Sequence, residues 1–149
     1  MTIECLRKSA FSIICVCIVL ALLSANTFAR KRPPAGGRVA VVIDERLSAL
    51  RATPEFAGKL LRRMGRGSLV ALRAEKRSRD GVAFYRVNVT TRTSGWIQRD
   101  ALASPSIAGD DARLLRLIKG SEDFDRIARA RIFLDNFTSS ELRPEVLVI

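Results

Sequence analysis

Four turn signals cut residues 38–104 into pieces too short for long helices. They are Pro54, the "GRG" at Gly65–Gly67, the Asp80-Gly81 pair and the polar "TRTS" at Thr91–Ser94. Proline lacks an amide hydrogen and clashes with the preceding helical turn. Asp-Gly is a strong hairpin signal. The pieces between them read as strands. "RVAVVI" (Arg38–Ile43) is rich in β-branched residues, and "SLVAL" (Ser68–Leu72) follows the glycine turn. "FYRVNVT" alternates, with Phe84, Arg86, Asn88 and Thr90 on one face and Tyr85, Val87 and Val89 on the other. Leu60, Leu61 and Met64 are expected in a further strand, in preference to a helix through "FAGKLLRRM". Short strands with closely spaced turns predict a small β-barrel.

The pattern changes after Pro105. "DDARLLRLIKG" places Leu114, Leu117 and Ile118 at helical spacing, with two aspartates at its start and Gly120 just past its end. Ser121 is expected to cap a second helix, whose apolar stripe would be Ile127, Ala130, Leu134 and Phe137. Pro144 and Glu145 would open a third helix at its first turn. The expected class is therefore α+β: a small all-β barrel over residues 38–104, then an α-helical hairpin over residues 105–149.

The N-terminal 29 residues are set apart. Arg7 and Lys8 precede the apolar run Ala10–Leu23, and Thr27 and Ala29 are small residues at the spacing of an export cleavage site. This predicts a cleaved signal peptide and an exported, periplasmic or secreted, protein. The competing reading is an uncleaved inner-membrane anchor over residues 10–25, which Arg30, Lys31 and Arg32 favour by resisting translocation of that flank. "RKRPPAGG" (Arg30–Gly37) reads as a linker.

Residue inventory removes several chemistries. Cys5, Cys15 and Cys17 all lie in the leader, and the chain has no histidine. A mature chain cut near Ala29 would have no disulfide, no thiol nucleophile and no thiolate or imidazole metal site. Ser-His-Asp and Cys-His machinery is excluded. No enzyme, no cofactor and no metal are expected. The carboxylates Asp110, Asp111, Glu122, Asp123 and Asp125 sit at two helix starts, where the helix dipole accounts for them.

The chain carries 26 Lys and Arg against 15 Asp and Glu. Arg30–Ser104 holds 17 basic and 6 acidic residues, net +11, while Pro105–Ile149 holds 7 and 8, net −1. The basic field belongs to the strand segment and would draw polyanions: anionic lipid, wall polymer or nucleic acid. An arginine-rich but merely solvated surface is the alternative. Export and the absence of a nucleic-acid-binding motif make nucleic acid the least expected partner. The densest clusters are Arg62, Arg63 and Arg66 around one turn, and Lys76, Arg77 and Arg79 around another.

In order, "SALRATP" (Ser48–Pro54), "LLRRMGRGSLVAL", "FYRV" (Phe84–Val87) and "SGWI" (Ser94–Ile97) resemble the bacterial SH3-like (Src-homology-3-like) domain. Leu50, Arg51, Pro54, Tyr85, Val87, Gly95 and Trp96 match its pattern. Ala49, Thr53 and Phe84 depart from it where asparagine, glycine and tryptophan are usual. The resemblance implies a binding or targeting module in an exported protein, recognising peptidoglycan or an envelope protein. Phe84, Tyr85 and Trp96, with Arg51, are the candidate ligand contacts. Of these, Trp96 is expected to plug the core behind Gly95, which leaves Tyr85 and the arginine-rich turns as the expected ligand-facing groups. The tail, "NFTSSELRPEV" included, is similar to the helical repeats of bacterial envelope tetratricopeptide proteins, with Thr138 where proline is usual. That implies an alternative role as an assembly adaptor.

Overall fold

The structure is a computed structural model that describes residues 37–149; the leader and most of the linker lie outside the described residues. Seven strands form first. They are β1 (Arg38–Val42), β2 (Ala49–Arg51), β3 (Leu60–Arg63), β4 (Leu69–Arg77), β5 (Ala83–Asn88), β6 (Ser94–Gln98) and β7 (Leu102–Ala103), the last reached through a 3-10 turn at Arg99–Ala101. Helices α1 (Asp110–Lys119), α2 (Asp123–Asn136) and the short α3 (Arg143–Leu147) follow. The fold is α+β, with the strands in one antiparallel sheet of order β3-β2-β6-β5-β4-β1-β7.

The turn signals fall where strands reverse. Gly67 and Gly81 both adopt positive φ, the region glycine enters without steric penalty. β4 is long enough to serve two partners. Leu69–Leu72 pair with β1 and Ala71–Arg77 with β5, so Ala71 and Leu72 are paired on both sides, and a register shift between Leu72 and Ala74 bends the strand just beyond them.

β1 separates two cores. Ala40 and Val42 face a cluster with Leu50, Val70, Leu72, Tyr85, Val87, Ile97 and Leu102. Val41 and Ile43 face the opposite way, into a cluster with Ala103, Leu114, Leu115, Ile118, Phe133 and Phe137. Strand and helical segments are thus joined through the two faces of one strand, and both lie in one compact unit. "VAVVI" is continuously apolar because both of its faces are covered. Each cluster buries ten or so apolar residues, at about 1.5–3 kcal/mol for each large side chain removed from water.

Two helical expectations are corrected. The buried face of α2 is Arg129, Ile132 and Phe133, with Phe137 just beyond, whereas Ile127 is 68% exposed and Ala130 and Leu134 are only partly buried. α2 is apolar on two sides, so spacing alone admitted either stripe. Ser121 does not cap α2. Its hydroxyl donates to the Leu117 carbonyl and accepts from Arg129, and Glu122 occupies the cap position without a side-chain bond. Among the described residues no helix is long and apolar enough to cross a membrane.

Candidate functional site

Pairing register brings the three motif pieces into adjacent strands. Arg51 of β2 lies opposite Trp96 of β6, and Trp96 lies opposite Arg86 of β5. Extending the row outward adds Leu60 of β3 and Ala74 of β4. Directly paired residues share a face with Cβ atoms about 5 Å apart, so Leu60, Arg51, Trp96, Arg86 and Ala74 form one band across five strands. The next row is Gln98, Phe84 and Lys76. These two rows contain three cations and no carboxylate.

Trp96 faces outward because Gly95 faces inward. A Cβ on Gly95 would stand 2.8 Å from the Arg51 carbonyl oxygen and 2.8 Å from the Leu50 side chain. Only glycine fits between β6 and β2 there, and strand alternation sends the next side chain to the other face. Ile97 then returns to the core. Trp96 is half-buried on the outer face, which corrects the expectation that it plugs the core.

The two neighbouring aromatics, both expected as ligand contacts, are both buried. Tyr85 is 8% exposed and belongs to the inner cluster, so it is not a rim contact. Phe84 is on the outer face but buried, because Phe56 from the β2–β3 loop lies against it edge-on, with ring centroids 5.6 Å apart. Phe56 itself is exposed. The groups presented to solvent on this face are therefore Phe56, Trp96 and Leu60 beside Arg51, Arg86 and Lys76.

Arg51 has a structural duty as well. Its guanidinium donates to the Gly58 carbonyl at 2.9 Å and so holds the loop carrying Phe56 against β2. Arg86 and Lys76 are exposed and make no hydrogen bond or ion pair among the described residues. Sequence reading passed over Phe56, Leu60 and Arg86. Arg86 was legible as the alternation partner of Phe84, whereas Phe56 lies in a loop without period.

The basic clusters are divided by the fold. Arg62 and Arg63 are exposed on the edge strand β3. Lys76 and Arg77 end β4, where Arg77 donates to the Gly81 carbonyl, and Arg79 approaches Glu55 at 3.8 Å in the following turn. Arg66 is not available to a polyanion. Its side chain is only 18% exposed, bonds Asp125 of α2 at 2.7 Å and lies 3.9 Å from Glu45.

Arg66 belongs to an ionic seam between the sheet and α2. Arg129, 3% exposed, donates to the Ser121 hydroxyl, pairs with Asp125 at 3.1 Å and lies 3.8 Å from Asp44. Asp44 in turn accepts from the Arg46 guanidinium and backbone amide. Hydrogen bonding from Arg46 outweighs burial and holds the Asp44 carboxyl below the usual aspartate range. The Arg66 hydrogen bond lowers Asp125 in the same way. Three carboxylates (Asp44, Glu45, Asp125) balance three guanidiniums (Arg46, Arg66, Arg129), so the seam joins elements and carries no net field.

The remaining acids also have local roles. Asp110 accepts from the Ser104 amide and from Arg113, and Asp111 accepts from the Ser140 hydroxyl. Among the described residues no group of three or more metal-binding side chains is placed to hold an ion. No known family, no curated protein and no solved structure matches the chain.

Proposed function

We propose that this chain is a non-enzymatic binding module of the SH3-like type in an exported protein, and that it contacts a cell-wall polymer or an envelope protein through the outer face of β2, β6 and β5. One observation carries this reading: the row Arg51–Trp96–Arg86, assembled from the three sequence stretches that resemble that family. The sheet order, with β2 beside β6 and β1 between β4 and β7, supports a small barrel.

The chemistry of the row suits a ligand with flat, weakly polar surface and carboxylate groups. An indole offers a broad apolar plane with a polar edge. Guanidiniums on either side offer paired donors whose spacing matches a carboxylate. Peptidoglycan supplies both features in its sugar rings and acidic peptide stems. The reading as a binder rather than an enzyme rests on the residue inventory, with no histidine in the chain and no cysteine after Cys17.

Co-sedimentation of the whole chain with purified peptidoglycan, at low and moderate salt, tests the reading. Retention is expected at low salt and should be lost in Trp96→Ala and reduced in Arg86→Ala. No retention at low salt, or retention indifferent to Trp96, refutes it. Retention that heparin abolishes and modest salt screens would mark general attraction to polyanions instead.

A further inference from the structure

Some cations on the outer face of the sheet are already engaged. Arg51 is held by the Gly58 carbonyl at 2.9 Å. With the Asn88 amide turned so that its oxygen faces the guanidinium, Arg73 donates to it at 2.9 and 3.0 Å. Arg86 and Lys76 are left over. Both are exposed and have neither a hydrogen bond nor an ion pair among the described residues.

Strand register makes these two neighbours. Arg86 lies opposite Ala74 of β4, and Lys76 stands two residues beyond Ala74, opposite Phe84. Arg86 and Lys76 are therefore diagonal neighbours, with Cβ atoms about 7–8 Å apart and within reach of long side chains. The other two corners of that square are Ala74, a single methyl, and Phe84, which is buried, so neither separates the two charged heads. Like charges this close repel, and no carboxylate offsets them. Glu55 of the β2–β3 loop lies 3.8 Å from Arg79. Glu75 is opposite Tyr85 in the ladder and so belongs to the other face. The flanks are apolar instead. Trp96 lies opposite Arg86 on β6, and Phe56 leans edge-on against Phe84 while itself exposed.

We infer, on the footing of the wall-binding reading above, that Arg86 and Lys76 set the specificity of this face: they read the carboxylates of the acidic peptide stems, while Trp96 and Phe56 hold the apolar surface beside them. The Arg86 guanidinium offers two parallel N–H donors that match the two oxygens of one carboxylate. Lys76 adds a compact point charge without a fixed geometry, suited to the same group or to a second one nearby. The site therefore distinguishes a free stem from an amidated one of the same shape. An amide lacks the charge and replaces one acceptor oxygen with a donor, which a guanidinium cannot accept.

Co-sedimentation at low salt with two preparations of one peptidoglycan, untreated and with its carboxylates converted to amides, tests the inference. The whole chain is expected to bind the amidated wall about tenfold more weakly. Arg86→Gln/Lys76→Gln changes two exposed side chains and should bind both preparations equally and weakly, with folding checked by circular dichroism. Arg62→Gln/Arg63→Gln removes the same charge from the edge strand β3 and should keep the preference. Arg86→Lys, which keeps the charge and loses the fork, should show a reduced preference. Retention indifferent to amidation overturns the inference and leaves wall binding standing. An edge-strand variant that loses the preference as fully as the Arg86–Lys76 variant also overturns it, since the preference would then follow net charge. No retention on the untreated wall is the separate failure of the binding reading, and the inference falls with it.

Discussion

Replacing Gly95 by alanine would add one methyl group at the tightest point of the sheet. That methyl would stand 2.8 Å from a backbone oxygen, Arg51 O, and 2.8 Å from two carbons of Leu50. Real Cβ contacts are longer, so β2 or β6 must move. Leu50 is fully buried and cannot swing aside, and Arg51 is fixed by pairing to Trp96 and by its bond to Gly58. Overpacking of this kind costs about 1–3 kcal/mol, and a backbone obstacle puts Gly95→Ala at the upper end. Against a total stability of about 5–15 kcal/mol, the expected fall in melting temperature is roughly 10 °C for a domain of this size. Thermal and urea unfolding followed by circular dichroism measure it. Gly65→Ala is the control, since no atom lies within 4 Å of its added Cβ and its φ is not positive. That variant should stay within about 0.5 kcal/mol of the parent. If Gly95→Ala melts with the parent protein, the account of why Trp96 faces outward is wrong.

Arg129→Ala should lower stability by about 1–3 kcal/mol, because the buried Ser121 hydroxyl loses its donor while Asp44 keeps its bonds to Arg46; urea titration checks this, and a loss under about 0.5 kcal/mol would contradict the seam. The seam also sets an acid limb. The Asp44 pKa is lowered on folding, so its contribution is complete above the ordinary aspartate value of 3.8 and is lost as pH falls through the lower folded value. Unfolding midpoints measured downward from about pH 5 should show that loss, and Asp44→Asn should flatten it. Tyr85→Phe should leave ligand retention unchanged, since the ring is inside the sheet, whereas Trp96→Ala should remove it. Equal losses in both would place the contact face on the wrong side of β5.

Turn chemistry and strand alternation make most of the sheet legible in the sequence. Asp80-Gly81, "GRG" and the β-branched runs each mark a strand boundary by local physics, and local physics acts within a few residues. The sidedness of β5 was equally plain, with Phe84 and Arg86 on one face and Tyr85 and Val87 on the other. Which of those faces is the core was not legible. That depends on Gly95 meeting Leu50 across β2 and β6, residues 45 positions apart in the chain. The role of Arg66 was hidden for the same reason. A guanidinium beside a glycine turn reads as solvated until α2, nearly 60 residues later, brings Asp125 within 2.7 Å. In α2 the difficulty was different: apolar residues on two faces give two acceptable stripes, and the inward one carries Ile132, Phe133 and the paired Arg129.

The two-sided character of β1 limits how the strand segment can be used apart from its helices. A fragment ending at Ser104 would retain every strand and the whole Arg51–Trp96–Arg86 row, yet it would expose Val41, Ile43 and Ala103 to water on what had been an interior wall. Such a fragment is not a portable cassette. Fused to another protein it would carry an adhesive apolar surface of its own, and binding seen with it could come from that raw face as readily as from the indole on the other. The helices act as the lining that keeps this wall of the strand segment out of water.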